Sequence, residues 1–361
     1  MVNHAPTDRD VITELTDYAH KLRRAYDNLA DIGTPMISQS PRHLVYEKDL
    51  VKLYRYDPPK PLRRRKKIPL LLVFALVNRP YILDLDPNRS LIGALLRRGH
   101  DVYLIDWGNP GPEHTDFSLG NYITDFYRQC VDFILYSHGI DRLNILGVCQ
   151  GGVFSLAFTA LFPQTVNRLI TMVTPVDFHV PDFLLSKLLQ GIDMELLIDT
   201  YGNIPGQLVN AVFLSLKPYA LTSRKYFDLL EQADSREQLL FFLKMEKWVN
   251  DNPDQAGKAC DQFVTDLFLR NHLVKNELYI DDQHIDLSRI RLPVLNIFAD
   301  RDHIVPPSAS RALSTQIKKC FYSEYNFDGG HIGIYVSTKA QRVIPDTINL
   351  WLSGRKKFRP G

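Results

Sequence analysis

Cysteine is scarce in this chain. There are four in 361 residues, Cys130, Cys149, Cys260 and Cys320, with no C-x-x-C pair. That scatter argues against a disulfide framework and a structural zinc site and fits a reducing compartment. No cluster of His, Cys, Asp and Glu has ligand spacing, so no metal and no separate cofactor is expected. Charge of one sign is not in excess either. The formal net charge is +2, and no nucleic-acid or other polyanion-binding role follows from it. Long hydrophobic runs are missing. The longest, Leu70 to Val77, is far too short to cross a bilayer. The opening stretch MVNHAPTDRDVITEL lacks the basic-then-apolar build of a secretory signal. Repeats and low-complexity segments are absent. These absences predict a soluble cytoplasmic protein with no transmembrane segment. What is present is core material: 45% of the residues are hydrophobic, enough for one large domain with an insertion.

The most informative stretch is LNILGVCQGGVFSLAFTALFP, residues 143–163. Leu143 to Val148 has the length and composition of a buried strand. Cys149 follows, then Gln150, Gly151 and Gly152, and from Val153 onward apolar residues recur at helical spacing. Strand, tight turn and helix are the setting of the nucleophile elbow G-x-S-x-G, here with Gly147, Cys149 and Gly151 and with sulfur replacing oxygen. The glycines have a mechanical reason, because side chains two residues either side of the nucleophile would meet the neighbouring strand and helix. The turn also sets Cys149 at a helix N-terminus, which favours a thiolate. A buried cysteine in a glycine-rich turn would read the same way in isolation.

The remaining pattern is alternating α/β. Val11, Leu15, Tyr18, Leu22, Ala25 and Leu29 form an a/d stripe on a helix capped near Thr7. This stripe suits packing on its own domain or docking to a partner subunit. Leu44 to Tyr56 suggests two early strands. The cationic run Arg63 to Lys67 reads as a solvated edge or as an attractor of a phosphorylated substrate. Buried strands are expected over Pro69–Val77, Val102–Trp107, Arg168–Val173, Leu292–Ala299 and Cys320–Tyr325. Helices are expected over Ser90–Arg98, Tyr122–Ser137, from Pro306 or Pro307 to about Lys318, and over Val343–Leu352. Between Val176 and Ile290 the pattern turns aromatic, with helices expected over Phe183–Leu189, Leu208–Leu216, Tyr226–Leu230, Leu239–Trp248 and Ala259–Phe268, a stretch too long for a plain connection. It reads as a cap over a site at the carboxyl ends of the strands. The resulting division is a helix and linker over 1–39, a first core part over 40–175, a cap over 176–290 and a second core part over 291–361.

Three chemical groups fall in one order, each just past a predicted strand: Cys149, an acid in Asp300-Arg301-Asp302-His303-Ile304-Val305-Pro306, and a histidine in Gly329-Gly330-His331. Nucleophile, acid, histidine is the order of the α/β-hydrolase triad. Asp302 is preferred over Asp300 because it stands in D-x-x-V-P, with Asp300 and Asp86 as bystanders. His303 is expected to play a supporting part. Oxyanion donors are expected at the backbone N–H of Gln150 and near Val77, after the first buried strand. The fold class is therefore α/β: an α/β-hydrolase fold with a mostly parallel sheet, helices on both faces and a helical cap between two late strands.

Gly147-Val148-Cys149-Gln150-Gly151-Gly152 resembles the G-x-C-x-G-G box of the polyhydroxyalkanoate synthases. Asn78 with Tyr81-Ile82-Leu83-Asp84-Leu85, Asp106-Trp107-Gly108, Asp302 to Pro306 and Gly329-Gly330-His331 are also similar to that family, and the match runs from about residue 40 to the end. The length and the G-V-C-Q-G-G box are like those of the class III catalytic subunit. The resemblance implies a short 3-hydroxyacyl-coenzyme A substrate such as 3-hydroxybutyryl-coenzyme A, with coenzyme A as part of the substrate and a released product. It also implies a growing polyester stored in cytoplasmic granules, a second non-catalytic subunit, and a homodimer or larger assembly. In the family Asp302 either orients His331 or serves as base toward the substrate hydroxyl. A cysteine hydrolase of the same fold, such as a dienelactone hydrolase, a polyester depolymerase, and a non-catalytic granule scaffold are the other readings of the same pattern.

Overall fold

Eight runs, the central ones rich in Val, Ile and Leu, pair into one sheet: β1 (Arg42–Lys48), β2 (Val51–Tyr56), β3 (Leu70–Val73), β4 (Val102–Asp106), β5 (Leu143–Val148), β6 (Val166–Met172), β7 (Val294–Ala299) and β8 (Tyr322–Phe327). Their spatial order is β1-β2-β4-β3-β5-β6-β7-β8. β1 pairs antiparallel with β2, and β2 antiparallel with β4. Every other pairing is parallel. The central strands β3, β5 and β7 are buried at every position, as strands covered on both faces require. The outer strands alternate or expose their residues, and β1 is the most open. This is a computed structural model, and it describes residues 40–58, 66–217 and 235–355, together with Thr16 and Ile37.

Helices α1 (Leu91–Arg97), α2 (Arg128–His138) and α3 (Gln150–Leu161) connect the early strands. Ser90 caps α1 by accepting from the Gly93 N–H, and Gly139, left-handed at φ 59°, ends α2. The reversal of order at β4-β3-β5 is a topological switch point, where α/β sheets open a crevice at their carboxyl ends. Cys149, the loop after β3 and the loops after β7 and β8 all leave the sheet at that end.

The chain divides into two compact units, one of residues 1–37 and 210–250 and the other of residues 38–209 and 251–361. The segment expected as a cap, 176–290, therefore contributes to both. Its described helices are α4 (Leu184–Leu189), α5 (Met194–Tyr201), α6 (Gly206–Ser215), α7 (Arg236–Asn250) and α8 (Gly257–Gln262), the last running into a π-helical stretch over Phe263–Leu269. The helix expected near Tyr226, most of the helix expected from Thr7, the cations Arg63 to Arg65 and the tail beyond Arg355 lie outside the described residues.

Several boundaries differ from the sequence reading. The strand expected to reach Val77 stops at Val73, because residues 74–79 leave the ladder for a loop held by side chains. The last strand runs to Phe327 rather than Tyr325. The helix expected to continue to Lys318 breaks into Pro307–Arg311 and Leu313–Gln316. The closing helix α9 (Thr338–Leu352) begins ahead of the expected Val343, where Ser337 accepts from the Ala340 N–H, and it contains Pro345. Helix α5 was not anticipated. Its cap, Asp193 accepting from the Leu196 N–H, stands in a stretch that reads locally as a turn.

Candidate active site

Cys149 is the last residue before α3, with φ 53° and ψ −122°. A non-glycine residue at positive φ is strained, and the surroundings leave it little alternative. The Cys149 N–H donates to the Met172 carbonyl at 2.9 Å, and its own carbonyl accepts from the Gly152 N–H at 2.9 Å. A Cβ added at Gly151 would lie 2.2 Å from the Val73 carbonyl oxygen, and one at Gly152 would lie 1.8 Å from Thr174 Oγ1. At Gly147 an added Cβ would come within 2.6 Å of the Gly152 Cα. The three glycines thus let strand, turn and helix close on one another, and the half-buried thiol is the group the turn presents.

The acid and the imidazole come from adjacent loops. His331 Nδ1 donates to Asp302 Oδ2 at 2.7 Å, and the two side chains are 6% and 0% exposed. Asp302 Oδ1 accepts the N–H groups of Ile304 and Val305 at 2.9 and 2.8 Å. The carboxylate is therefore fully engaged and fixed in direction. The loops are joined to each other as well. The Gly329 N–H donates to Asp300 Oδ1, and the Arg301 N–H donates to the Gly329 carbonyl, both at 2.9 Å. Asp300 thus shapes the loop that carries His331. His303 lies half-buried beside Asp302 and is not part of the Asp302–His331 contact.

With Nδ1 committed to Asp302, the other imidazole nitrogen is left for Cys149. Burial works to lower the His331 pKa. The Asp302 charge and hydrogen bond, together with a hydrogen bond and charge interaction from Cys149, outweigh it and raise the pKa to about 10. The site therefore favours a protonated imidazole beside the Cys149 sulfur.

The loop after β3 is clamped from two sides. Gln150 Oε1 accepts from the Leu76 N–H at 2.9 Å, while Gln255 Nε2 donates to the Leu76 carbonyl at 3.1 Å. Asn252 Oδ1 accepts from the Asn78 N–H at 2.6 Å. Arg79 and Tyr81 both reach Asp251, at 3.3 and 3.1 Å. The Val77 N–H, between two occupied neighbours, has no acceptor among the described residues. The Gln150 N–H stands in the first turn of α3, where no intrahelical acceptor exists.

An aromatic cluster runs outward from the core. Trp107 meets Phe154, Phe154 meets Phe263, and Phe263 meets Phe178 and Phe268, with ring centroids 5.9 to 6.2 Å apart. Phe183 stacks on Phe178 at 5.9 Å. The described end of the cationic run, Lys66 and Lys67, precedes β3 and so lies at the amino ends of the strands, opposite Cys149. Among the described residues no group of three His, Cys, Asp or Glu side chains is placed to hold a metal ion, and no helix is long and apolar enough to cross a membrane.

Sequence reasoning missed Gln255, Asn252 and Tyr335. The first two clamp the loop after β3. Tyr335 stands edge-on to His331, ring centroids 6.0 Å apart at 90°. It follows His331 by four residues, one helical turn, and that spacing was the available signal.

Residues 68–338 match a family model described as alpha/beta hydrolase fold, and residues 10–95 match one described as the poly-beta-hydroxybutyrate polymerase (PhaC) N-terminus. The chain is 47% identical over 342 residues to the poly(3-hydroxyalkanoate) polymerase subunit PhaC of Allochromatium vinosum, covering 95% of this chain and 96% of the relative. It is 42% identical over 352 residues to the subunit of the same name from a Synechocystis species, covering 95% and 93%. Among solved structures, a lipase-like protein from Sulfolobus solfataricus superposes with a TM-score of 0.55 at 14% identity, over 87% of this chain and 93% of that one. That likeness speaks to fold alone. An α/β-hydrolase sheet carrying these loops, with near-half identity to PhaC subunits along almost the whole length, assigns the chain to the poly(3-hydroxyalkanoate) polymerase family.

Proposed function

We propose that the chain is the catalytic subunit of a synthase that polymerises short (R)-3-hydroxyacyl-coenzyme A, most simply 3-hydroxybutyryl-coenzyme A, on Cys149. The observation that carries this reading is the Asp302–His331 contact, buried at 2.7 Å and hydrogen-bonded onward to a cysteine on a strained elbow. In acylation the Cys149 proton resides on the His331 imidazole and the sulfur attacks the thioester carbonyl. The N–H groups of Val77 and Gln150 hold the oxyanion. The carbon–sulfur bond to coenzyme A breaks, and the proton passes from His331 to the departing thiolate. One thioester replaces another, so the acyl group stays activated. In elongation the 3-hydroxyl of the next unit attacks the acyl-cysteine. Its proton goes through His331 to the Cys149 sulfur as the ester bond forms. Asp302, with both oxygens engaged by the fold, acts as the orienting group.

Water is the competitor in that second step, and the aromatic cluster around Phe263 keeps the site dry. Cap residues must part for substrate entry and chain exit. The growing polyester holds the enzyme at a granule surface in the cytoplasm. A second, non-catalytic subunit and self-association complete the active assembly.

The test is to mix the purified protein with 3-hydroxybutyryl-coenzyme A and follow free thiol and turbidity together. Thiol release with rising turbidity, both abolished by Cys149→Ala, supports the proposal. Thiol release with free acid as sole product makes the chain a hydrolase. Polymer formed as fast by Cys149→Ala makes it a scaffold for another catalyst. Adding the second subunit should raise activity strongly, and full activity of the isolated chain without a lag would contradict that part.

A further inference from the structure

Tyr335 is 1% exposed, and its hydroxyl has no hydrogen-bond partner among the described residues. A buried hydroxyl left unpaired is destabilising, so its persistence beside a reactive centre asks for a reason. The ring is fixed between the two halves of the site. It meets His331 edge-on at 6.0 Å and Phe74, which leads into the loop after β3, at 6.4 Å and 67°. The residue's backbone is held by its N–H to the Ile332 carbonyl at 3.0 Å and by its carbonyl to the Gln341 side chain. Burial first, then the charges of Cys149 and Asp302, push the phenol's pKa well above its usual value. The group is therefore a neutral donor and not a base.

The substrate supplies the matching vacancy in the hydrogen bonding. A 3-hydroxyacyl thioester carries two polar oxygens near the reacting carbon. The carbonyl oxygen has the N–H groups of Val77 and Gln150. The oxygen on carbon 3 has no donor assigned, and in a dry site it would be a second orphan. We infer that the Tyr335 hydroxyl donates to the carbon-3 oxygen of the acyl unit on Cys149, making Tyr335 the residue that separates 3-hydroxyacyl from plain acyl thioesters. The inference rests on the synthase reading above. A site built around a substrate hydroxyl rejects the analogue lacking it, since the donor then stays unpaired.

The test uses the full chain in excess over substrate, with single-turnover coenzyme A release from 3-hydroxybutyryl-coenzyme A and from butyryl-coenzyme A. The wild-type protein should favour the hydroxylated substrate. Tyr335→Phe keeps the ring and should lower that preference about tenfold, the weight of one buried hydrogen bond. Its urea midpoint should be unchanged or higher, because no native partner is lost. An unchanged ratio overturns the inference, and so does an equal slowing of both substrates with a lowered midpoint, the mark of a packing role. If Cys149→Ala releases coenzyme A as fast as wild type, the synthase reading fails and this inference with it. If Cys149→Ala is inactive while the Tyr335→Phe ratio stays fixed, only the role of Tyr335 is lost.

Discussion

Asp302 and Asp300 are two residues apart, share a side-chain type, and do different work. Asp302 takes two backbone N–H groups on one oxygen and the imidazole on the other, while Asp300 ties down Gly329. The D-x-x-V-P pattern pointed to Asp302 because the residues two and three positions on supply those N–H groups. The part played by Asp300 crosses to another loop, and local pattern could not show it. The His331 proton leads to a pH prediction. Its folded pKa, raised to about 10, stands above the ordinary histidine value of about 6.5. The folded state therefore binds the proton more tightly than the unfolded chain. The stability it contributes is complete below about pH 6.5 and fades as pH climbs toward about 10, with a limiting slope of about 1.4 kcal/mol per pH unit. Urea unfolding of wild type and His331→Gln across that window should give a gap that narrows with rising pH. A constant gap would mean that the imidazole carries no extra proton. At the elbow, Gly151→Ala puts a methyl against the Val73 carbonyl, 2.2 Å away if nothing moves. Overpacking of that kind costs about 1–3 kcal/mol, so the urea midpoint should fall and acylation should slow, since β3 and the turn must separate.

Secondary-structure elements were legible where one face was buried along their whole length. β5, the turn and α3 were read almost to the residue because every position of the strand is buried and the helix begins at the glycines. Elements defined by distant side chains were not. The end of β3 at Val73 follows from Gln150 and Gln255 gripping Leu76 from opposite sides, and Gln255 is far away in sequence. The break of the helix after Pro307, and the π-helical turn over Phe263–Leu269, likewise come from packing that periodicity does not report. The clamp makes its own prediction. Gln255→Ala frees the Leu76 carbonyl and should let the Val77 N–H, the proposed oxyanion donor, drift out of position. Loss of aim at one oxyanion donor should lower kcat roughly tenfold or more with little change in KM. Steady-state kinetics of coenzyme A release would check it, and a rise in KM at constant kcat would assign Gln255 to substrate binding instead.

At the scale of the whole molecule the proposed reaction sets one chemical problem: an acyl-cysteine must meet a hydroxyl and refuse water. The mostly parallel alternation of strand and helix and the succession of nucleophile, acid and histidine were readable, because each follows from buried strands and the loops that leave them, whereas the spatial order of the strands comes from pairing between distant segments. The division into two units was not readable either, because 210–250 reads as a continuation of the helices on either side of it. The aromatic richness of the inserted segment was visible in the sequence. What the fold adds is that Phe178, Phe183, Phe263 and Phe268 form one mutually packed cluster continuous with Phe154 and Trp107. Each edge or stacked contact contributes about 0.5–1.5 kcal/mol beyond simple burial, so the cluster resists opening to water as a unit. Phe263 touches three of its members and is the place to loosen it. Phe263→Leu keeps an apolar side chain but removes the ring contacts. Chromatography of free 3-hydroxybutyrate, set against polymer turbidity, should then find the acid fraction up several-fold while first-turnover coenzyme A release changes less than about twofold, because deacylation is the step water contests. If the partition between acid and polymer stays as in wild type, solvent is held off by some other part of the chain, and the aromatic cluster serves stability alone.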